Sequence, residues 1–137
     1  MIEKFNGIIL LVVFILHFIG YAVYGFRCVF GTKSFLDQYA MHDSGAIMTR
    51  FFGAMFIGSF IMAMYIMFVR SGGVDGTWGF FNLIFVQNLC IFLVNTYSIK
   101  VDKTGMKTDS NEGVIAPFVF TVLSAILCYG LADKIYT

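Results

Sequence analysis

Four apolar runs, each long enough to cross a lipid bilayer, constrain the fold of this chain more than any other feature. They cover approximately residues 7–29, 45–69, 78–99 and 114–131. A helix that crosses the hydrocarbon core needs about 20 apolar residues, and the core offers no water to satisfy any other backbone conformation. We therefore predict an all-α membrane protein. It forms a single domain over residues 1–137, with four transmembrane helices in an antiparallel bundle.

The composition favours the same class and argues against a nucleic-acid partner. Hydrophobic residues make up 59% of the chain and charged residues only 12%, with a mean hydropathy of +0.85. Soluble domains carry about 25% charged residues. A net charge of +1 offers no clustered basic face for nucleic acid. The first run continues through Tyr21 and Tyr24 without the small-residue cleavage site of a signal peptide, so we expect a retained first helix.

The connections between the runs differ in character. Residues 30–44 alternate apolar and charged side chains, which predicts a short interfacial segment between the first and second helices. Asp43 or Ser44 at its end can cap the second helix. Residues 71–77 form a glycine-rich turn, and residues 100–113 are strongly hydrophilic.

The basic residues predict how the chain is oriented in a multi-pass integral membrane protein, located in the inner membrane if the source is bacterial. Four spans place both termini on the same side. The positive-inside rule assigns the side richer in Lys and Arg to the cytoplasm, so the termini are predicted to be non-cytoplasmic. The terminal side carries Lys4, Arg70 and Lys134, and the other side carries Arg27, Lys33, Lys100, Lys103 and Lys107, with Arg50 as a sixth.

Polar side chains recur at helical spacing inside three of the spans. Such groups are costly against lipid, so we expect them to face the interior or a partner. They can form interhelical hydrogen bonds, worth about 0.6 and up to roughly 2 kcal/mol each, or they can line a polar cavity. The sequence leaves both interpretations open. The residues are His17, Tyr21 and Tyr24 in the first span, Asn88 and Asn95 in the third, and Thr121 and Ser124 in the fourth.

Arg50 is the strongly charged residue inside the second apolar run. It can snorkel toward the lipid headgroups, since its long stem can stay in the apolar layer. It can also pair with Asp37 or Asp43 of the preceding connection. A third interpretation is anion or substrate binding, because its guanidinium matches carboxylate and phosphate. Arg50 therefore joins the polar side chains of the spans as a candidate ligand-binding residue.

No common catalytic or metal-binding motif occurs in the sequence, so we predict no catalytic residue and no metal ligand. His17 lacks the second imidazole or thiolates that a metal or haem site needs, and a hydrogen-bonded core histidine is expected instead. No motif indicates a cofactor. The 17 phenylalanines can face lipid, or they can contact acyl chains, quinones, sterols or pigments. Pro117 is expected in the first turn of the fourth helix, where its missing N–H costs little.

Small residues at helical spacing mark the second span as a packing surface. Small side chains let helix backbones approach closely in a membrane. The partner can be another helix of this chain, another subunit or a second copy. The residues are Gly53, Ala54, Gly58, Ser59 and Ala63.

One resemblance accompanies these patterns. A first helix with Gly20 and Gly25, the connection Ser34-Phe-Leu-Asp-Gln-Tyr and the segment Arg50-Phe-Phe-Gly-Ala54 resemble small four-helix integral-membrane proteins of the broad DoxX-like type, including uncharacterised relatives. The similar segment covers about a third of the chain. The resemblance implies a four-helix bundle and very little about chemistry.

Three functions remain open at this point. The leading one is a non-enzymatic accessory or structural subunit that packs on other membrane helices, in an oligomer with other subunits or with itself. The alternative is a binder or carrier of a small lipophilic or anionic ligand in the bundle interior, with Arg50 at the mouth. A third is a membrane redox protein with a bound quinone or haem.

Overall fold

The computed structural model describes residues 2–104 and 111–137, and every regular element in these ranges is helical. The α-helices are α1 Ile8–Val29, α2 Thr32–Gln38, α3 Ala46–Met64, α4 Trp78–Tyr97, α5 Glu112–Gly130 and α6 Ala132–Ile135. Short 3₁₀ turns cover Ile2–Phe5 and Asp43–Gly45. Two π-helical turns, Tyr65–Val69 and Ser98–Asp102, extend α3 and α4.

Four helical segments of the described chain are long and apolar enough to cross a membrane: Ile8–Val29, Asp43–Val69, Trp78–Asp102 and Glu112–Gly130. This confirms the prediction of an all-α chain with four membrane-length helices. The expected place of Pro117 is wrong, because α5 begins at Glu112 and Pro117 is its sixth residue. The proline therefore lies inside the helix, where its missing N–H leaves a carbonyl to be satisfied.

Helix α1 is the central element of the packing. It contacts α3 along one side and α5 along another, and α5 in turn contacts α4. Among the described residues, α3 and α4 share no comparable interface. The packing therefore leaves a cleft between α3 and α4.

Glycines bring α1 and α3 close together. A Cβ added at Gly53 would lie 2.6 Å from Cys28 Cβ, and one added at Gly25 would lie 3.1 Å from the Gly53 carbonyl oxygen. A Cβ at Gly25 would also lie 2.7 Å from Ile57 Cγ1, and real Cβ atoms essentially never approach within 3.0 Å, so glycine at both positions allows this helix separation. Gly53, one of the five small residues singled out in the second span, therefore packs against α1.

The other four small residues of that span divide between two environments. Ala63 is fully buried, whereas Ala54 and Gly58 are exposed. A Cβ at Gly58 would meet nothing within 4 Å in the described structure. The Ser59 hydroxyl donates to the Met55 carbonyl of its own helix, at 3.0 Å. The small residues thus serve an internal contact at Gly53 and Ala63 and leave an outward-facing pair, Ala54 and Gly58.

Aromatic rings fill the core around α1. Phe14 lies 4.7 Å from both Phe5 and Phe18, measured between ring centroids, and 6.2 Å from Phe81 of α4. All four side chains are buried. Tilted aromatic pairs at these distances add about 0.5–1.5 kcal/mol beyond the area they bury. The phenylalanines of this set therefore serve packing.

Hydrogen bonds gather the N-terminal residues, the second connection and the C-terminal residues at one end of the molecule, here called the terminal end. Lys4 Nζ donates to the Arg70 carbonyl at 3.4 Å, and the Gly76 amide donates to the Lys134 carbonyl at 3.0 Å. Lys134 Nζ donates to the Glu3 carbonyl. The opposite end, called the α2 end, carries α2 and the start of α5.

The expected cap of the second helix is wrong. His42 Nδ1, rather than Asp43 or Ser44, accepts from the Ser44 amide at 3.1 Å, and α3 itself begins after Gly45 without a side-chain cap. Asp43 is engaged elsewhere: its carboxylate accepts from Lys33 Nζ at 2.9 Å. Lys33 also holds Asp37 at 2.9 Å, so the lysine ties α2 to the turn that precedes α3.

Candidate ligand-binding cavity

A cavity of about 550 Å³ occupies the cleft between α3 and α4, in the half of the molecule nearer the α2 end. We call it the α3–α4 cavity. Helices α1, α2 and α5 also contribute to its walls, and it is partly open to the outside. Small-molecule sites in proteins measure about 300–1,000 Å³. The cavity is therefore large enough for one small ligand.

The walls of the α3–α4 cavity are mainly apolar and aromatic. Rings come from four different helices and from the residue that follows α2, so the lining belongs to no single element. Pockets of this kind bind through contact area and use a few polar groups for orientation. The ring-bearing lining residues are Tyr24, Phe35, Tyr39, Phe52, Phe56 and Phe120, and the polar ones are Thr49, Asn88, Asn95, Ser98, Thr104 and Glu112.

Asn88 lies at the deep end of the cavity and holds three helices together. Its Oδ1 accepts from the Tyr21 hydroxyl of α1 at 2.6 Å, and its Nδ2 donates to Ser124 Oγ of α5 at 3.2 Å. Nδ2 also lies 3.0 Å from His17 Nε2. Four of the polar residues predicted from the sequence thus meet in one buried network.

The tautomer of His17 follows from this geometry. Because Asn88 Nδ2 is a donor, His17 Nε2 accepts, and the ring proton sits on Nδ1. His17 is fully buried, and its Nδ1 has no hydrogen-bond partner within the described ranges. The ring packs edge-on against Phe18 and Phe120. His17 is therefore a hydrogen-bonded core histidine that lies beneath the cavity and does not line it.

Glu112 organises the rim of the cavity at the α2 end. Its carboxylate accepts from the Tyr24 hydroxyl at 2.7 Å and from Gln38 Nε2 at 2.5 Å. Arg27 Nη1 lies 3.4 Å from the same carboxylate, and Arg27 also donates to Gln38. The ion pair is about one-third exposed on both sides, a setting in which such pairs contribute about 0–1 kcal/mol. The pairing matters more because the positive charge of Arg27 and the negative charge of Glu112 compensate each other at the rim.

Tyr39 in the cavity lining and Lys33 on α2 both have a raised pKa. Burial raises the pKa of Tyr39 to about 12, and the negative charge of Glu112 acts in the same direction. The Tyr39 phenol therefore stays neutral and can donate a hydrogen bond at physiological pH. The carboxylates of Asp37 and Asp43 raise the pKa of Lys33 above its usual range, so this exposed ammonium stays charged.

Asn95 has a structural task at the cavity wall. Pro117 has no N–H, so the Gly113 carbonyl four residues earlier in α5 lacks its helical donor. Asn95 Nδ2 of α4 donates to this carbonyl at 2.9 Å. The side chain thus repairs the break that the proline introduces and fastens α4 to α5.

Five of the eight predicted ligand-binding residues do not line the cavity: His17, Tyr21 and Ser124 belong to the buried network of Asn88, and Thr121 and Arg50 lie elsewhere. The Thr121 hydroxyl donates to the Pro117 carbonyl of its own helix at 2.7 Å. Arg50 Nε donates to Thr32 Oγ1 at 3.2 Å, and the carboxylates of Asp37 and Asp43 bind Lys33 instead. Of the three interpretations of Arg50, the ion pair with Asp37 or Asp43 is therefore not formed. Neither Thr121 nor Arg50 lines the cavity.

The structure adds four polar lining residues that the sequence analysis did not single out: Thr49, Ser98, Thr104 and Glu112. Glu112 was assigned to the hydrophilic third connection, although an acid in the first turn of a helix is favoured by the helix dipole. Thr49 and Ser98 lie near the charged residues Arg50 and Lys100 at the ends of their apolar runs, outside the polar pattern noted within the spans. Thr49 is only 8% exposed and lines the cavity from α3, while Ser98 lines it from the end of α4. Within residues 2–104 and 111–137, neither hydroxyl makes a hydrogen bond.

In the part of the chain that the structure describes, no three His, Cys, Asp or Glu side chains gather as metal ligands. Comparison with protein-family models, with curated proteins and with solved structures found no match to this chain. The site must therefore be interpreted from its own residues.

Proposed function

We propose that this protein binds a small lipophilic ligand in the α3–α4 cavity. The observation that carries the proposal is the cavity itself: about 550 Å³, walled mainly by rings and aliphatic side chains, and continuous with the outside. A cleft of this kind in a membrane-embedded chain is accessible to molecules dissolved in the lipid. Binding or carriage of such a molecule is the function that the geometry supports best.

The charges favour a lipophilic ligand over an anionic one. Arg50, the residue expected at a mouth for anions, donates to Thr32 and lies outside the cavity lining. Arg27 stands at the rim, but the carboxylate of Glu112 compensates its charge at 3.4 Å. An anion would therefore meet no uncompensated positive charge among the described lining residues.

A space-filling substitution tests this function. Ala116 lines the cavity from α5, so Ala116→Phe places a ring in the space that the ligand needs. The matched control is Val119→Phe, which adds the same ring at an exposed position of the same helix. Retention of a long-chain alcohol by protein purified in detergent is measured by native mass spectrometry. We expect Ala116→Phe to weaken retention at least about tenfold, equivalent to 1.4 kcal/mol, and Val119→Phe to leave it unchanged.

Equal retention by both variants and the wild type would place the probe outside the cavity and contradict the proposal. The same purified protein addresses the redox alternative, since a bound quinone or haem would absorb light at characteristic wavelengths. A quinone is itself lipophilic and would occupy the same cavity.

The finer architecture is part of the proposal. We infer an antiparallel bundle with α2 at the membrane interface and the terminal end on the non-cytoplasmic side. Support comes from the contacts that gather both termini and the second connection at one end, and from the richer set of basic residues at the other. The resemblance to DoxX-like proteins implies the same four-helix arrangement and stays a prediction.

A second candidate function is that of an accessory subunit which docks on another membrane helix, in a hetero- or homo-oligomer. The observation favouring it is the outward-facing pair Ala54 and Gly58 on α3, where no described neighbour approaches Gly58. A bulky residue there would separate a docked helix without disturbing this chain. We expect Gly58→Ile to release a co-purifying subunit in mild detergent if this function holds, with Val23→Ile on the exposed side of α1 as the control. A wild-type chain that purifies alone and monodisperse would contradict it.

A further inference from the structure

Most polar lining residues of the α3–α4 cavity lie in its part nearer the α2 end, beside rings such as Phe35 and Tyr39, while Asn88 lies at the deep end. Thr49 and Ser98 lie near the α2 end, on opposite walls, while Phe56 and Phe120 lie deeper. Phe56 stands seven residues beyond Thr49 on α3, which corresponds to about 10 Å of helix rise. A ligand that fills this space therefore meets the hydroxyl groups near the α2 end and rings along its length.

The Thr49 hydroxyl is an unusual polar group for a helix in a membrane. A threonine in a helix commonly donates to a carbonyl three or four residues earlier, as Thr121 and Thr96 do here at 2.7 Å each. Thr49 makes no such bond in the described structure; the residue is only 8% exposed and lines the cavity. Among the described residues, the one fully buried side-chain polar atom without a partner is His17 Nδ1, so the Thr49 hydroxyl is accessible from the cavity. A ligand that enters the cavity can therefore form a hydrogen bond with this hydroxyl.

The groups around Thr49 select an uncharged partner. A hydroxyl both donates and accepts, so it binds an alcohol or a carbonyl equally well. A buried ionic headgroup would need a counter-charge, and the charges of Arg27 and Glu112 are already paired with each other. The polar end of the cavity thus offers hydrogen bonds and no free charge among the described lining residues.

We propose that the ligand is an uncharged amphiphile, with one hydroxyl or carbonyl headgroup bound by Thr49 and a single apolar chain or ring system lying against Phe56 and Phe120. This inference rests on the proposed function and deepens it by naming the ligand class and the residue that recognises its head. The apolar end points toward the network of Asn88, whose polar atoms are already satisfied by Tyr21 and Ser124. The deep end therefore adds no second headgroup site.

The test compares four probes that share one chain length: a primary alcohol, the alkane, the carboxylic acid and the primary amine. Each is offered in turn to the purified full chain, to Thr49→Val and to Thr121→Val, and retention is measured by native mass spectrometry. Valine has the shape of threonine without its hydroxyl. Thr121→Val is the matched control, because that hydroxyl bonds within its own helix and lies outside the cavity.

We expect the wild type to prefer the alcohol over the acid and the amine. We expect Thr49→Val to weaken alcohol binding about three- to tenfold, the range of one neutral hydrogen bond, and to bind the alkane as the wild type does. Unchanged alkane binding also shows that the variant is folded. Thr121→Val should bind all four probes like the wild type.

Three results would overturn the inference. A wild-type preference for the acid or the amine would refute the uncharged headgroup. An equal loss of alcohol and alkane binding in Thr49→Val would show that its effect is one of shape rather than hydrogen bonding. Failure of every probe to bind the wild type would refute the proposed function as well, which distinguishes that outcome from the other two.

Discussion

At the scale of single residues, Asn88 links three helices through one side chain. It is 1% exposed, and its amide joins α1, α4 and α5 through Tyr21, His17 and Ser124. An amide can serve this role because it presents a donor and an acceptor on one flat group. Removing it leaves several buried polar atoms without partners at once.

We therefore expect Asn88→Leu to lower the free energy of unfolding by about 1–3 kcal/mol, the penalty for unsatisfied buried polar groups. The change is measured by titration with denaturing detergent in micelles. Gln87→Leu is the matched control, since the neighbouring side chain makes no hydrogen bond in the residues described. A loss in Asn88→Leu no larger than that of the control would contradict the role assigned to the network.

At the scale of helices, α5 depends on α4 for the integrity of its second turn. Pro117 removes one backbone donor, and Asn95 supplies a replacement to the Gly113 carbonyl at 2.9 Å. A proline inside a helix is tolerated in membranes when a neighbouring side chain satisfies the freed carbonyl. The two residues should therefore be energetically coupled, although they lie on different helices.

A double-mutant cycle measures that coupling. Asn95→Leu alone leaves the Gly113 carbonyl unsatisfied, whereas in a Pro117→Ala background the new amide of residue 117 restores the helical bond. We expect Asn95→Leu to be less destabilising in the Pro117→Ala background, by about 0.5–1.5 kcal/mol in detergent unfolding. Additive effects of the two substitutions would show that the Asn95 bond has no connection with the proline.

The same helices show how far a sequence can predict such a site. The length and apolar character of the four runs were sufficient to predict the spans, because the bilayer permits few alternatives to a helix of about 20 residues. Helical spacing also placed His17, Tyr21, Asn88 and Ser124 on inward faces. It could not predict which of them meet, because that depends on how the helices rotate and cross. The partners of Arg27 and Arg50 could not be predicted for the same reason. Glu112, for example, lies 85 positions from Arg27, and no local pattern connects the two residues.

Thr49 and Gly53 illustrate a second limit. Helical spacing identified Gly53 as a small residue of α3 and did not single out Thr49. Whether each of them faces α1, the cavity or lipid is decided by the close approach at Gly25. In a close-packed contact a very small change in a side chain alters the arrangement of whole helices, since one methyl group at Gly53 would force α1 and α3 apart. The cavity is a consequence of this packing, and the sequence pattern contained no separate signal for it.

At the scale of the whole molecule, the two ends differ in their hydrogen bonds and in their basic residues. The terminal end is closed by hydrogen bonds from Lys4, Lys134 and Arg70 to backbone carbonyls. The α2 end holds the cavity rim and the larger number of Lys and Arg residues in the sequence. If the loops richer in Lys and Arg stay in the cytoplasm, as the positive-inside rule predicts, the rim of the cavity lies at the cytoplasmic face.

This orientation can be measured by reporter fusions at the C-terminus, beyond Thr137. We expect alkaline phosphatase, which folds only outside the cytoplasm, to be active there, and a green fluorescent protein exported through the same route to stay dark.

Because Lys33 and Lys100 lie in exposed segments of the opposite end, Lys33→Gln combined with Lys100→Gln should shift a fraction of the molecules toward the inverted topology. Lys4→Gln combined with Lys134→Gln is the matched control, since it strengthens the existing asymmetry and should leave the topology unchanged. A fluorescent, phosphatase-inactive C-terminus in the wild type would place the cavity rim on the non-cytoplasmic side, and ligands would then reach it from the opposite leaflet.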